Sequence, residues 1–420
     1  MTVADVQVAV VGAGSAGIAC ARRLLAAGRT VQVLEARSRV GGRAWTIDAP
    51  PAAGGVPLDM GCAWLHSADR NPLVAVARDA GLTVDEYAKV WAQDWSRARL
   101  GDARFRDLRD AFEALYEAGA ASLAEGRDAS LADLLPPDSP WRPYMEAVFG
   151  WVWGGPLAEI SAADQARAAE TEVNWRLAEG YGRLFERLAE GLPLRLSCAV
   201  ETIDLGGEVV RLSGGFGSLT VDAVVVSVPI ALLASGRPRI LPALPEPQAR
   251  ALDGLRLGSD NKVFFAVSGT PFGPPEDRQI HTRHDEAEAL HVHLHPFGRP
   301  IVDAFMGGHL SQELEHAGAE AMVAFVLDEL AAVFGSDVRK ALSPIAVSRW
   351  GEDPFSRGAY SYALPGHGGP GPNDARSLLA TPHEGRLFFA GEACSLTSPA
   401  SAHGAWETGL AAAAAVIEGR

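Results

Sequence analysis

A chain of 420 residues with 48% hydrophobic and 21% charged side chains has a globular composition, and it is longer than one hydrophobic core commonly supports, so two structural units are expected. Its 52 acidic against 37 basic residues leave a formal charge of −15, which argues against a nucleic-acid or anionic-membrane surface and favours cationic small molecules. No apolar run reaches the roughly 18 residues of a membrane span, and no basic region with an apolar core precedes the first strand, so a cytoplasmic protein is expected. Cys20, Cys62, Cys198 and Cys394 form no Cys-x-x-Cys pair, which predicts free thiols rather than disulfides or a zinc site.

The apolar run Gln7–Val11 enters Gly12-Ala13-Gly14-Ser15-Ala16-Gly17, and the segment from Ile18 reads as a helix stopped at Gly28. In a strand, turn and helix with this spacing, Gly12 permits the tight turn, Gly14 lets backbone approach a pyrophosphate, and Gly17 allows close packing of helix on strand. The positive helix end then faces phosphate. A second strand, Thr30–Leu34, ends in Glu35, whose carboxylate suits a ribose diol. Ala36-Arg37-Ser38-Arg39-Val40-Gly41-Gly42-Arg43 follows, with glycine backbone able to pass a flat ring and Arg43 able to fork onto phosphate or ring oxygens.

This order of motifs, with Leu-Glu-Ala-Arg and Arg-x-Gly-Gly-Arg, resembles the flavin-dependent amine oxidase superfamily. The resemblance implies an α/β fold: a Rossmann-like FAD-binding domain with an inserted α+β substrate domain of mixed sheet flanked by helices. It also implies dissociable FAD, an amine substrate and dioxygen, with a second copy of the chain as a candidate partner. By the same resemblance, Gly12, Gly14, Ser15, Ala16 and Gly17 meet the pyrophosphate, Glu35, Ala36 and Arg37 the ribose side, and Gly42 and Arg43 the ring side.

Leu58–His66 resembles the family's segment beside the flavin, bringing Gly61, Ala63 and Trp64 to the cofactor. His66 falls where polyamine oxidases end a Trp-Ile-His; imidazole there could steer an amine or handle its proton, and a satisfied core histidine is the competing reading. Asn71-Pro72 is a capped helix entry. From Leu73 to Glu179 the spacing is helical, with many tryptophans (Trp91, Trp95, Trp141, Trp151, Trp153, Trp175) and no chemistry-bearing constellation.

Glu179–Leu184 resembles the return into the flavin domain. Leu194–Ile203 reads as a strand in which Val200 would bond adenine through its backbone, and Ala223–Val228 as a doubly covered parallel strand ended by Pro229. Lys262, in the apolar stretch Leu257–Phe265, matches the family's lysine that holds a water at the flavin; a lone ammonium there is costly without such a partner. His291, His293 and His295 alternate and would share one strand face, as a polar sheet face or, with further ligands, a metal site. A helix is expected over 319–333.

Arg349–Tyr362 matches the family's tryptophan-to-tyrosine stretch. Trp350 is placed at the cofactor, Tyr360 forms one wall of the amine site, and Ala359 stands where some members attach flavin to cysteine. Gly391 and Glu392 end the last strand, and Ser401 and Ala402 open a helix whose amides would face the flavin. The boundaries expected are 1–72, 176–232 and 348–420 for FAD, and 73–175 and 233–347 for substrate. The expected reaction is oxidation of a polyamine or monoamine. An L-amino-acid oxidase, a biosynthetic desaturase and a flavin-binding scaffold stand as alternatives.

Overall fold

The computed structural model describes residues 4–87 and 93–419, so Trp91 lies outside the described residues. Valine-rich segments suited to a covered, pleated environment build the larger sheet. Seven strands run in the order Arg239–Leu241, Thr202–Asp204, Val210–Gly214, Gly217–Val226, Val6–Val11, Val31–Leu34, Leu194–Arg195, and Leu387–Phe389 pairs beside the end of Gly217–Val226. The three central strands are parallel. Alternate residues fill opposite faces: Ala9, Val11, Val224 and Val226 on one, Val8, Val10, Ala223 and Val225 on the other. Helices Ser15–Ala26 and Ala402–Glu418 cover the second face, so closely that a Cβ on Gly409 would lie 2.2 Å from the Ala16 carbonyl oxygen.

Two expectations are corrected here. The strand expected over 194–203 is interrupted, since only Leu194–Arg195 and Thr202–Asp204 pair as strand. Ser197 adopts a left-handed backbone (φ 52), and the amides of Ser197 and Cys198 donate to the carbonyls of Arg37 and Glu35, each at 2.8 Å. Those bonds draw the segment away from the sheet and under the loop after the second strand. Further on, Arg239–Leu241 is an edge strand of the first sheet and Ala251 of helix Glu246–Gly254 joins its core, so the second excursion starts near residue 255 rather than 233.

The second layer is an antiparallel sheet in the order Arg278–His281, His291–Leu294, Ile301–Gly307, Asp260–Val267, Leu342–Val347. Val263, Phe265, Val292, Leu294 and Ala304 form its apolar face against Met322, Val326 and Leu330 of helix Ala319–Phe334. With a side-chain period of two, Lys262, His291, His293, Asp303 and Phe305 occupy the opposite face. His295 does not join them: it has left the strand in a left-handed conformation (φ 52), and its Nδ1 donates to the Arg299 carbonyl at 2.9 Å.

The stretch after Asn71 is largely helical as the spacing predicts, beginning with Pro72–Asp79, where the Leu73 amide donates to Asn71 Oδ1 at 2.9 Å, but Val84–Asp85 and Trp175–Leu177 within it form a small antiparallel sheet with Trp64–Leu65. Helix Arg142–Trp153 crosses strand Ile301–Gly307 at a glycine pair; a Cβ on Gly307 would lie 2.3 Å from the Gly150 carbonyl oxygen. No described helix is long and apolar enough to cross a membrane.

Candidate active site

A cavity of about 1150 Å³ runs between the two layers. That exceeds the 300–1,000 Å³ usual for drug-sized ligands and leaves room for a dinucleotide and a small substrate together. One end is the glycine turn. The Gly12 amide donates to the Leu34 carbonyl at 2.8 Å, and Gly41 donates to the Ala13 carbonyl at 2.8 Å, so the two glycine loops close on one another. Gly12 has φ 104, and a Cβ on Gly17 would sit 1.9 Å from the Gly12 carbonyl oxygen. Gly17 is thus buried under the turn and does not line the cavity, unlike Gly12, Gly14, Ser15 and Ala16, which do. Its contact is with the turn backbone, the close packing of helix on strand that the spacing assigns to it.

Two helix N-termini meet at this wall. Ser15 Oγ donates to the Ala402 carbonyl at 2.7 Å, joining the start of the first helix to the start of the last. Ser401 caps that last helix, accepting from the Gly404 amide at 3.0 Å, and lines the cavity with Ala402. Glu35 accepts from the Ala13 amide at 2.7 Å and the Arg37 amide at 2.8 Å, holding its carboxylate beside Ala36, Arg37, Cys198 and Val200 at the cavity wall. The cradle of backbone amides, glycine surface and a cavity-facing carboxylate fits the FAD implied by the motifs.

Toward the other end, the wall passes from Gly42, whose backbone lies against Gly14, to Arg43, Gly61, Ala63, Trp64, Trp350, Gly391 and Glu392. A Cβ on Gly61 would lie 2.0 Å from the Arg43 carbonyl oxygen. Trp350 is fixed by its indole N–H donating to the Met60 carbonyl at 2.9 Å. Arg43 donates to the Ala359 carbonyl and pairs with Glu392 at 3.1 Å. Glu392 also accepts from Ser361 Oγ at 2.6 Å and the Ala400 amide at 3.2 Å; burial raises its pKa, but Arg43, Ser361 and Arg376 outweigh this and hold it below the usual value. Beneath it, Arg376 is fully buried, with Nε and Nη2 each 2.7 Å from a carboxylate oxygen of Asp164 and Nη1 3.0 Å from Ser361 Oγ.

Lys262 reaches this end from the second sheet. Its Nζ lies 2.9 Å from the Asp59 carbonyl oxygen and 3.5 Å from Asp303, with the side chain 8% exposed. The Tyr360 hydroxyl donates to the Trp151 carbonyl, which fixes the ring as a wall. Asp260 is buried and lines the cavity, and burial raises its pKa well above the ordinary carboxyl value. His66 donates from Nδ1 to Asn174 Oδ1 at 2.8 Å, making Nε2 its acceptor nitrogen, and it too lines the cavity. The structure thus brings Lys262, Tyr360 and His66 to the same cavity as the nucleotide cradle.

Several lining residues escape the sequence patterns. The helical stretch read as free of chemistry contributes Tyr116, Trp151, Trp153, Glu170 and Glu172. Behind the wall, Arg176 is buried, held by Asp85, by Asp277 at 2.8 Å and over the rings of Tyr87 (4.2 Å) and Phe297 (4.0 Å). His293 Nε2 lies 2.6 Å from Asp277, and its ring stacks on Trp64 with centroids 6.0 Å apart. Its alternation with His291 carried the signal for the shared face; Arg176 and Glu170 carried none. No group of described residues forms a metal site, and the four cysteines are free thiols.

Residues 15–417 match the family model of flavin containing amine oxidoreductases. The chain is 30% identical over 443 residues to polyamine oxidase 2 of Arabidopsis thaliana, covering 97% of this chain and 87% of the relative. It is 29% identical to lysine-specific histone demethylase 1 homolog 2 of the same plant, covering 98% of this chain but 58% of that protein. Solved structures of a putrescine oxidase bound to putrescine and of cyclohexylamine oxidase from Brevibacterium oxydans IH-35A share the fold, with TM-scores of 0.75 and 0.74. Their identities are 23% and 21%, and the likeness covers 98% and 99% of this chain and 99% of each of theirs.

Proposed function

The chain belongs to the flavin-containing amine oxidoreductase family and is an FAD-dependent amine oxidase, and from that premise we propose that it oxidises a polyamine or monoamine to an imine. Hydrolysis of the imine gives an aldehyde and an amine or ammonia, while dioxygen becomes hydrogen peroxide. FAD, once bound, supplies the hydride acceptor. The glycine turns and both helix N-termini would hold its phosphates and stabilise negative charge on it. With Ala359 in place of a cysteine, the cofactor would be held without a covalent bond.

The observation that carries this reading is Lys262 Nζ, delivered at the Asp59 carbonyl into the cavity that also holds Tyr360 and the cradle. Tyr360, locked by Trp151, would fix the face of the amine carbon. His66 Nε2 and Lys262 Nζ would orient the amine nitrogen, so no strong general base is needed. Glu170 and Glu172 on the wall suit a second, cationic nitrogen and favour a polyamine.

The amino-acid alternative needs an arginine for the substrate carboxylate. Among the described lining residues Arg43 is paired with Glu392 and Arg37 with Asp353 at 2.5 Å, and Arg237 is the third arginine of the lining. An anaerobic screen of spermine, spermidine, putrescine, aromatic monoamines and L-amino acids tests the proposal. Bleaching of the yellow holoenzyme by amines is expected; bleaching by amino acids alone, or by none of them, overturns it.

A further inference from the structure

Among 37 basic residues the chain has only three lysines, Lys89, Lys262 and Lys340, so nearly all its positive charge is carried by arginine. The lysine at 262 therefore departs from the rule of the chain. In a buried place the two side chains differ: a guanidinium is always charged, whereas an amine is readily neutralised by burial. The surroundings of Lys262 thus decide its charge.

In the register of the second sheet Lys262 stands opposite Phe305, and Phe264 opposite Asp303. Lys262 and Asp303 are therefore diagonal neighbours on one face of the sheet, and both line the cavity. Asp303 Oδ2 lies 3.5 Å from Lys262 Nζ, while Asp303 Oδ1 is buried with no hydrogen-bond partner. A carboxylate with one oxygen stripped of solvent depends on the cation beside it. Phe264 and Phe305 lie around the same nitrogen, with ring centroids 5.8 and 6.0 Å away, which also favours a cation.

The other ionisable neighbours make no direct pair with Nζ. Asp260, two residues earlier on the strand, is buried, and burial raises its carboxyl well above the ordinary value, so it is a neutral acid. Asp59 engages its carboxylate with Thr46 and the Tyr181 amide and offers Lys262 its backbone carbonyl. Burial raises the Cys62 thiol and, with His293 and Lys262, lowers His291 to about 3, which leaves both uncharged. His293, opposite Asp303 on the next strand, has its Nε2 on Asp277 at 2.6 Å.

We propose that Asp303 is a positioning residue that holds Lys262 as an ammonium and so keeps one of its N–H donors for the reacting end of the cavity. An ammonium has three donors and a neutral amine two. One is on the Asp59 carbonyl at 2.9 Å and one faces Asp303. The third exists only while the nitrogen is charged, so loss of the proton would turn Lys262 from a donor toward a molecule in the cavity into an acceptor. The pair also has no net charge, and a cationic substrate approaching it meets none of the repulsion that a lone ammonium would exert. That last consequence rests on the amine-oxidase reading above.

Competitive labelling of the holoenzyme tests the proposal, because an amine reacts with acetic anhydride only as the free base and three lysines are readily told apart by mass spectrometry. Lys340, whose side chain is 82% exposed, is the internal reference. At pH 8, Asp303→Asn should raise the labelling of Lys262 relative to Lys340 by at least about tenfold. Asp303→Glu restores the charge and should return the ratio toward that of the unaltered protein. The excess in Asp303→Asn should shrink as the pH is raised to 10.5, since more of the amine is then free in either protein, whereas a merely loosened structure would label faster by the same factor at every pH. Asp303→Ser serves in its place should Asp303→Asn fail to fold. An unchanged ratio in the neutral variants, or an excess that does not vary with pH, overturns the role of Asp303. The labelling needs no substrate, so an oxidisable amine that fails to bleach the flavin would overturn the proposed function and not this pair.

Discussion

Asp164→Asn is the perturbation whose size the structure defines best. Arg376 and Asp164 are 0% and 1% exposed and joined through two 2.7 Å contacts. Replacing the carboxylate with an amide leaves a guanidinium without its counter-charge in the interior, which costs about 3–5 kcal/mol. With an unfolding entropy of about 2.1 cal/mol/K per residue, 420 residues give about 0.9 kcal/mol/K, so Tm should fall by about 3–6 °C. The loss reaches the site, because Arg376 also contacts Ser361, which bonds Glu392, which pairs with Arg43. Differential scanning fluorimetry following flavin fluorescence should show the lower transition together with earlier FAD release. A shift under 1 °C with flavin release unchanged would refute the chain of support from Asp164 to Glu392.

Lys262→Met should keep FAD and its spectrum while slowing flavin reduction or reoxidation at least tenfold; loss of cofactor, or an unchanged rate in stopped flow, contradicts its placement at the reacting end. Trichloroacetic acid should leave FAD in the supernatant, since Ala359 offers no thiol, and yellow pellet would show otherwise. Gly17→Ala puts a methyl 1.9 Å from the Gly12 carbonyl oxygen and should give colourless or insoluble protein, whereas a yellow, soluble variant with normal Tm would disprove the packing role. Burial lowers His284, His291 and His403 from 6.5 to about 4, 3 and 4. The unfolded chain therefore binds more protons between about pH 6.5 and 4, and stability present above pH 6.5 is lost as pH falls through that window. His281, also lowered by burial, adds to them, while Asp59, raised by burial from 3.8 to about 6, and Asp260, Glu146 and Glu407, also raised by burial, act in reverse. Removing one of these histidines isolates its share: His403→Gln should lose less Tm between pH 6.5 and 4.5 than the unaltered protein, and an equal or larger loss would contradict this sign.

What the sequence made legible was local. Glycine spacing announces the Gly12–Gly17 turn because only glycine tolerates the 1.9 Å approach and the positive φ found there. Lys262 is conspicuous as an ammonium in an apolar strand. The interruption at Ser197 is invisible, because it depends on carbonyls of Glu35 and Arg37 more than 150 positions away. The same holds for Asp164 and Arg376, for the edge strand Arg239–Leu241, and for Tyr144 meeting His281: each is decided by a tertiary partner, and neither periodicity nor residue type encodes which one. His295 shows the limit of periodicity itself, since the alternation continues one residue past the end of its strand.

The bond from Ser15 to the Ala402 carbonyl spans 387 positions. A ribosome adding about 5–20 residues per second separates those two ends by roughly 20–80 s, during which the glycine turn exists without the helix that completes its wall. The wall that would receive the phosphates is therefore complete only once the segment from Ala402 has been made and has folded back onto the start of the chain.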